Sequence, residues 1–580
     1  MTDDLVPTAD RSAPRPRLWP PAAIVVVFWL VRQTAGALWP GTFVHFLTFF
    51  WGPIVAGVAV TVWILGFSRL PRRERFVSPA FLIAGGLAAF PLVDVSMRMA
   101  LLLIAWPWVL TVAAAWWAAT QRAGSRRRQV GLAVLATAVW ACGALVRLEG
   151  LGGDLAPSFA WRWTPTAEER FLSERRVAPD AAGSTDSLVV GPNDWPEFRG
   201  PRRDGVVRGV RLDAATWSER PPRLIWKRRV GPGWSSFAVV GGFAFTQEQR
   251  GENEAVVCYR LLDGEPVWTR EMPGRFWEVV AGAGPRATPT FAAGRLYAFT
   301  ADGVLVCLDA ADGQLRWRRD VKADTAAALP QWGFASSPLV VAGRIIVIAG
   351  GPEERSVAAY GATDGAIAWF GGRGTYSYAS PQPAVIDGVE QILSATDQGL
   401  DALDPATGAT LWSYAWTVHE GAARIVQPYV TRDEEIVLAT GYGAGTRRLR
   451  PRRRDGAWHV EEVWSTRRFN PYFNDFVVVD EYAYGFDGNI FCCVDLKTGD
   501  RRWKAGRFGY GQVLSVEDGR RLLVLGDEGQ AVLSAADPDE LRELGRFQAL
   551  DGKTWNHPVI VGRRLLVRNA EESACYELAD

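Results

Sequence analysis

Five apolar stretches fill the first quarter of the chain, near residues 21–38, 42–67, 77–96, 99–119 and 129–147. Each is about 20 residues long, enough for a helix to cross a bilayer. The polar positions between them concentrate arginine: Arg69, Arg72, Arg73 and Arg75 in one connection, Arg122, Arg126, Arg127 and Arg128 in another. The tail 1–18 adds Arg11, Arg15 and Arg17. The positive-inside bias puts the tail and both connections in the cytoplasm, so a transmembrane helical domain over 19–147, with about five spans, delivers residue 148 onward to the far side. The apolar segments are too many and too long for a signal peptide. Arg32, Asp94 and Arg98 fall towards the outer edge of the spans, where Arg32 and Asp94 are positioned to pair.

Residues 148–191 form a juxtamembrane piece. Trp161 and Trp163 have the character of a membrane-interface belt, and Thr166 with Glu169 reads as a capping box opening a short helix. Residues 177–191, rich in small residues and proline, read as a flexible tether. From residue 192 to 580 the pattern is one of short strands and tight turns, and one phrase recurs at intervals of roughly 40 to 50 residues. It runs alanine or cysteine, any residue, aspartate, two spacers, Thr/Asp-Gly, three spacers, tryptophan. Copies begin at Cys258, Cys307, Ala359, Ala402 and Cys493, with worn copies ending at Trp464 and near Leu544. The aspartate and glycine make a tight turn between antiparallel strands. The small residue is expected to leave room for the indole of a neighbouring copy. Trp226, Trp268, Trp317, Trp369, Trp412, Trp464 and Trp503 are then structural docking residues, wedges between blades. With the position near Leu544 the count is eight, which predicts an all-β eight-bladed propeller behind the transmembrane domain. The last strands, after Trp555, lack a tryptophan strand, and the Arg223 segment is a tryptophan strand without the three before it. The two ends are therefore expected to share one blade and close the ring.

The phrase resembles the tryptophan-docking repeat of the pyrroloquinoline quinone (PQQ) propeller superfamily, which holds quinoprotein dehydrogenases and BamB-type assembly lipoproteins. The segment WPEFRGPRRDGV from Trp195 is similar to the opening of membrane-anchored PQQ-binding-like propellers. The resemblance is specific for fold and says little of function, because the repeat builds the scaffold.

In such propellers the starts of the innermost strands line a central funnel. Counting back from each phrase places Trp234, Arg286, Trp332, Arg424, Gln427, Asn474, Asp475, Gln512, Asn556 and His557 around one mouth as candidate ligand-binding residues. Asp475, inside the aromatic run PYFNDF, has no turn to cap and no obvious structural partner, so a ligand or binding-partner role is expected of it, and the role of base if the chain is a dehydrogenase. The resemblance implies, for an enzyme, PQQ with calcium held by carboxylate and amide oxygens and an aspartate as base. This chain offers Asp475 and Asn474 but lacks the RYSPL-type segment of those enzymes, and its blades leave little surplus chain to bury a cofactor.

Composition adds limits. A formal charge of +1 over 580 residues supplies no basic field, so nucleic acid is not an expected partner. The run Arg447–Arg454 reads as a solvated hairpin in a degenerate blade. The six cysteines fall mostly in the small-residue slot of separate blades, too far apart to bridge, and the adjacent pair Cys492-Cys493 lies on a strand entering a docking turn. The four histidines show no metal-ligand spacing. Two functions fit. One is a non-catalytic platform, anchored in the bacterial inner membrane with the propeller facing the periplasm, whose partners are the bilayer and a cell-envelope protein or peptide. The other is a membrane quinoprotein dehydrogenase of alcohols or sugars passing electrons to ubiquinone. The missing motifs favour the first, and the sequence leaves the oligomeric state open.

Overall fold

The structure is a computed structural model and describes residues 17–39, 43–152, 155–174, 188–212, 217, 221–418 and 423–578. Most of the expected cytoplasmic tail and most of the tether lie outside these residues. The chain divides into two compact units, Met1–Thr164 and Pro165–Asp580.

The first unit is a helical bundle. Its helices are Trp19–Leu38, Phe43–Phe50, Gly52–Gly66, Arg72–Ala89, a helix from Met97 to Ala119 with one π turn at Leu101–Ala105, and Ser125–Leu145. Three of these are long and apolar enough to cross a membrane, and a fourth candidate is the pair Val44–Phe50 and Gly52–Gly66, bent by 46°. The expected span 77–96 is where sequence and structure part. Proline brackets that helix: Pro71 is its N-cap, and Pro91, with no N–H to give, follows its end. The helix is thereby drawn toward the polar residues Arg72–Arg75 and stops short of Asp94.

The bundle's contacts sort its connections into two ends. At one, the Arg17 amide donates to the Ser68 carbonyl at 2.8 Å, and buried Arg128 meets buried Glu74 at 2.6 Å. At the other, Arg162 donates to the Leu92 carbonyl at 2.8 Å and the Leu148 amide to Ser96 Oγ at 3.0 Å. The expected Arg32–Asp94 pair is not formed. Pro107 cannot donate to the carbonyl one helical turn before it, Leu103, and Arg32 donates to that carbonyl instead at 3.0 Å. Asp94 accepts from the Ser96 amide and hydroxyl, closing its own turn.

The second unit begins with the helix Ala167–Glu174, opened by a capping box in which the Glu169 amide donates to Thr166 Oγ1 at 3.0 Å and the Thr166 amide to Glu169 at 2.7 Å. The helix lies on the propeller through Glu168, which accepts from Arg275 at 2.9 Å and from the Gly251 amide at 2.7 Å.

The propeller has eight four-stranded antiparallel sheets. Blades 1 to 8 are numbered by their innermost strands, which start at Ala238, Thr290, Leu339, Gln382, Tyr429, Val477, Gln512 and Val559. Blade 8 takes its outermost strand, Arg223–Arg229, from the front of the domain, and that strand pairs antiparallel with Glu572–Glu577. The shared blade is as expected, and it leaves no open end to the array.

The tryptophans are wedges, with one refinement. The small residue faces its own blade's tryptophan across the strand pair: Cys258 opposite Trp268, Cys307 opposite Trp317, Ala359 opposite Trp369, Ala402 opposite Trp412, Cys493 opposite Trp503 and Cys575 opposite Trp226. Room for the neighbour's indole comes from the turn glycine. A Cβ on Gly264, Gly313, Gly365, Gly408 or Gly499 would stand 2.4–2.8 Å from the tryptophan of the preceding blade. The indole N–H then donates to a carbonyl of that same turn, as Trp268 does to Ala310 at 3.1 Å and Trp317 to Ala362 at 3.1 Å. Trp412 is the exception and donates to Gln391 at 2.7 Å. Blade 5, its neighbour, replaces the docking turn by two ten-residue strands, Gly445–Arg454 and Ala457–Thr466, and so presents no equivalent carbonyl. The arginines of that hairpin are largely paired: Arg448 and Arg450 share Glu435, and Arg447 reaches Glu462 at 3.2 Å. All six cysteines are free thiols, and Cys492 and Cys493 alternate to opposite faces of their strand.

Candidate functional site

Just before each innermost strand lies a residue whose backbone N–H points sideways to the next blade. The Ser236 amide donates to Thr288 Oγ1 at 3.0 Å, the Thr288 amide to Ser337 Oγ at 2.9 Å, and the Ser337 amide to Ser380 Oγ at 2.9 Å. Asp475 stands in this same slot, where its Oδ1 accepts from the Gln427 amide at 2.9 Å. The expectation that Asp475 lacks a structural partner is therefore corrected. Its carboxylate does for blade 5 what hydroxyls do between the earlier blades.

Two further groups stand beside it. His557 Nε2 lies 3.2 Å from Asp475 Oδ2, and Arg199 Nη1 lies 3.6 Å from Oδ1. Burial works to raise the Asp475 pKa, but Arg199, His557 and the Gln427 amide outweigh it and hold the carboxyl below the usual carboxylate range. His557 is pushed below the ordinary histidine value by burial, which Asp475 only partly offsets.

Arg199 belongs to the segment that leads into the propeller. Residues 194–207 cross the ring where the innermost strands end: Trp195 exchanges two backbone hydrogen bonds with Val239, and Val206 bridges to Ser515. Between these anchors the segment fills the axis. The Phe198 ring packs edge-on to His557 at 4.8 Å, Arg199 donates to the Phe476 carbonyl at 2.5 Å, and Arg203 donates to the Ser337 and Pro338 carbonyls at 3.1 Å while meeting Glu197 at 2.6 Å. Both guanidiniums are buried.

The other candidates divide. Gln512 ties blades 6 and 8 together through the Phe473 and Trp555 carbonyls, and Asn556 ties blade 8 to blade 1 through the Gly233 and Ser235 carbonyls. Asn474 folds back to accept from the Tyr472 amide at 2.8 Å. Trp234 packs against Trp555 at 5.0 Å, and the Lys553 ammonium sits 4.4 Å over Trp555, its pKa pushed down by burial to about 8. Arg286 and Trp332 extend this group, since Glu278 and Arg286 act electrostatically on both Lys553 and Tyr378. Arg286 meets Glu278 at 3.1 Å and Trp332 packs on Tyr378 at 5.0 Å. Arg424 lies over Trp416 at 4.5 Å and donates to the Thr396 and Trp416 carbonyls; burial first, then Arg447, lowers its pKa to about 9. Several of the ten link neighbouring blades, and several also keep a buried polar atom unbonded, among them Trp332 Nε1, Gln427 Oε1, Asn474 Nδ2, Gln512 Oε1 and Asn556 Oδ1. Sequence reasoning missed Glu197, Phe198, Arg199, Arg203 and Lys553. The signal for the arginines was present as two guanidiniums in a short Gly/Pro segment that showed no strand pattern.

A second carboxylate lies at the seam of blades 1 and 2. Glu254, buried, accepts from the Ala301 amide and is pushed up to about 8 by burial, with Asp302 adding to the shift. A pKa raised above its ordinary 4.5 means the folded protein holds a proton the unfolded chain has lost. The stability from this group is full below about pH 4.5 and is lost as pH rises through about 8. Glu254→Gln is expected to raise stability at pH 8.5 by about 2–4 kcal/mol and to change little at pH 4, as read by denaturant unfolding at both values.

Residues 252–505 match the family described as outer membrane protein assembly factor BamB. The repeats over that span are similar to the PQQ-like type. BamB from Moraxella catarrhalis is 15% identical, with a TM-score of 0.46 over 62% of this chain and 100% of its own. A europium-containing methanol dehydrogenase is 13% identical, with a TM-score of 0.50 over 66% of this chain and 91% of its own. The second likeness speaks to the fold alone. No sequence among the curated proteins matches the chain.

The PQQ-like fold implies a test of the axis against a quinone with calcium. The donor set does not fit one. Asp475 accepts from the Gln427 amide with Arg199 and His557 beside it, Glu197 and Glu278 are paired with Arg203 and Arg286, and the leading segment lies beside Asp475. Calcium needs six or more oxygen ligands. Among the described residues no group of three His, Cys, Asp or Glu side chains converges.

Proposed function

We propose that this chain is a membrane-anchored, non-catalytic binding platform, with a helical anchor over 19–147, a juxtamembrane helix and linker over 148–191 and the propeller over 192–580 held on the outer face of the bacterial inner membrane for a cell-envelope protein or peptide. The observation that carries the reading is the setting of Asp475: a general base must take up a proton from substrate, and the proton affinity of this carboxylate is lowered by Arg199 and His557 beside it and by the Gln427 amide bonded to it. The funnel residues then act as the rigid hub of the platform. Five crossings are supported by the sorting of the bundle's connections, since the Arg-rich residues 69–75 and 122–128 meet at one end through Glu74 and Arg128, and residues 145–162 emerge at the other beside Leu92 and Ser96.

Two measurements test this. Reporter fusions after residue 124 are expected to be cytoplasmic and fusions after residue 160 exported; a cytoplasmic signal from the second would remove both the fifth crossing and the compartment. Purified full chain given micromolar PQQ with calcium is expected to show neither saturable binding nor dye reduction with alcohols or aldoses. Binding with turnover would replace the platform by a quinoprotein dehydrogenase.

A further inference from the structure

Where the innermost strands of blades 5, 6 and 7 end, the leading segment covers only part of the ring and a cavity of about 550 Å³ remains beside it. Its aliphatic surface is Val206, Val430, Val478, Val479 and Leu496. Two buried oxygens with no hydrogen-bond partner, Gln382 Oε1 and Ser515 Oγ, belong to residues of its wall. Four carboxylates line it without an ion-pair partner among the described residues: Asp433, Asp480, Glu481 and Asp518. Of its arginines, Arg208 is taken by Asp204 at 2.7 Å and Arg448 by Glu435. That leaves Arg202 and Arg432, so four unpaired carboxylates face two guanidiniums and the free charge is −2.

The backbone edges explain what such a cavity can hold. Each innermost strand pairs on one side only, so its channel-side edge carries unpaired N–H and C=O groups. The leading segment uses that edge in three blades: Trp195 pairs with Val239 in blade 1, the Phe291 amide of blade 2 donates to the Pro196 carbonyl at 2.8 Å, and in blade 7 the Ser515 amide donates to the Gly205 carbonyl at 2.9 Å while Val207 donates back at 2.8 Å. The strands Tyr429–Val430 and Val477–Val479 of blades 5 and 6 border the cavity and form no such bridge among the described residues.

We propose that this cavity receives one extended peptide segment of a partner protein, apolar at its centre and flanked by lysine or arginine, added along the free inner edges of blades 5 and 6. The inference rests on the platform reading and gives that platform its docking site and the chemistry of its partner. The main chain of the incoming segment pairs as the leading segment already does, its apolar side chains cover the valines, and its basic ends meet the four carboxylates.

The test uses full-length protein in lipid nanodiscs and a phage-displayed random dodecapeptide library. Selection is expected to return a consensus of alternating β-branched residues flanked by basic ones. A synthetic peptide of that consensus is expected to protect the Val478 amide, which faces the free edge, from hydrogen exchange. Its affinity is expected to fall about tenfold or more for Asp433→Lys/Glu481→Lys, one exposed and one half-buried position, and to weaken as salt rises. Asp480→Asn, which keeps the turn and removes one charge, gives a smaller loss in the same direction. No consensus, an acid-flanked consensus, or an affinity indifferent to these variants would overturn the proposal. Peptides that crosslink to another face would overturn the docking site and leave the platform standing, whereas PQQ-dependent dye reduction would remove the platform itself.

Discussion

A chain ending at Arg564 is expected to lose the closed propeller. The deletion removes the strand Glu572–Glu577, which alone joins Arg223–Arg229 to the rest of blade 8, and Cys575, which faces Trp226 across that pairing. It also removes Arg568, a fully buried guanidinium that crosses from blade 8 to blade 1 by donating to the Gln247 and Gly231 carbonyls at 3.1 Å. With its partner gone, the Arg223 strand becomes an orphan edge and Trp226, whose indole donates to the Leu261 carbonyl at 2.9 Å, loses its seat between blades 8 and 1. Because a ring's blades support one another on both sides, opening one seam exposes two faces. The expected result is loss of the cooperative thermal transition and rapid proteolysis. Deleting the exposed hairpin tip at Asp455-Gly456 is expected to cost no more than about 1 kcal/mol. A truncated chain that kept the melting temperature and protease resistance of the full one would show that the shared blade is not what closes the ring.

The repeat made this closure legible because the wedge is a local code: turn, small residue and tryptophan all fall within a dozen residues, and each is demanded by the turn or by the indole beside it. What lay beyond that window was read less well. Asp475 looked unpartnered because its partners, Arg199 and His557, come from the front and the back of the domain and meet it only when the ring closes. The leading segment that carries Arg199 has no alternation to betray its place, since it lies along the axis and each side chain meets a different blade. In the bundle, apolarity located the helices, while Pro71 and Pro91 set where one of them begins and ends. Arg32 read as a charge seeking a charge; the carbonyl that Pro107 leaves free is what it answers.

Removing Arg199 is expected to be the costliest single change at the hub. Arg199→Leu leaves the buried Asp475 carboxylate with His557 and one amide, and strips the Phe476 and Asp204 carbonyls of their donor. Breaking a buried pair from one side costs about 3–5 kcal/mol, because the remaining charge is neither solvated nor matched. The pH dependence identifies the cause. In the wild type the Asp475 pKa is held below its ordinary value, so its contribution is present above the unfolded carboxylate pKa and is lost as pH falls through the folded one. In the variant burial dominates, the carboxyl is raised, and the penalty is absent in acid and grows as pH climbs above about 4. The difference between the two proteins should therefore be largest at pH 7, smaller at pH 4, and smallest once pH falls through the folded Asp475 pKa of the wild type. Asp475→Asn in the Arg199→Leu background removes the stranded charge and should recover part of the loss, giving a coupling well outside the roughly 0.5 kcal/mol expected of independent sites. Purely additive effects that do not change with pH would mean that Arg199 holds the leading segment by shape alone, and that the charge of Asp475 has no part in fixing it to the axis.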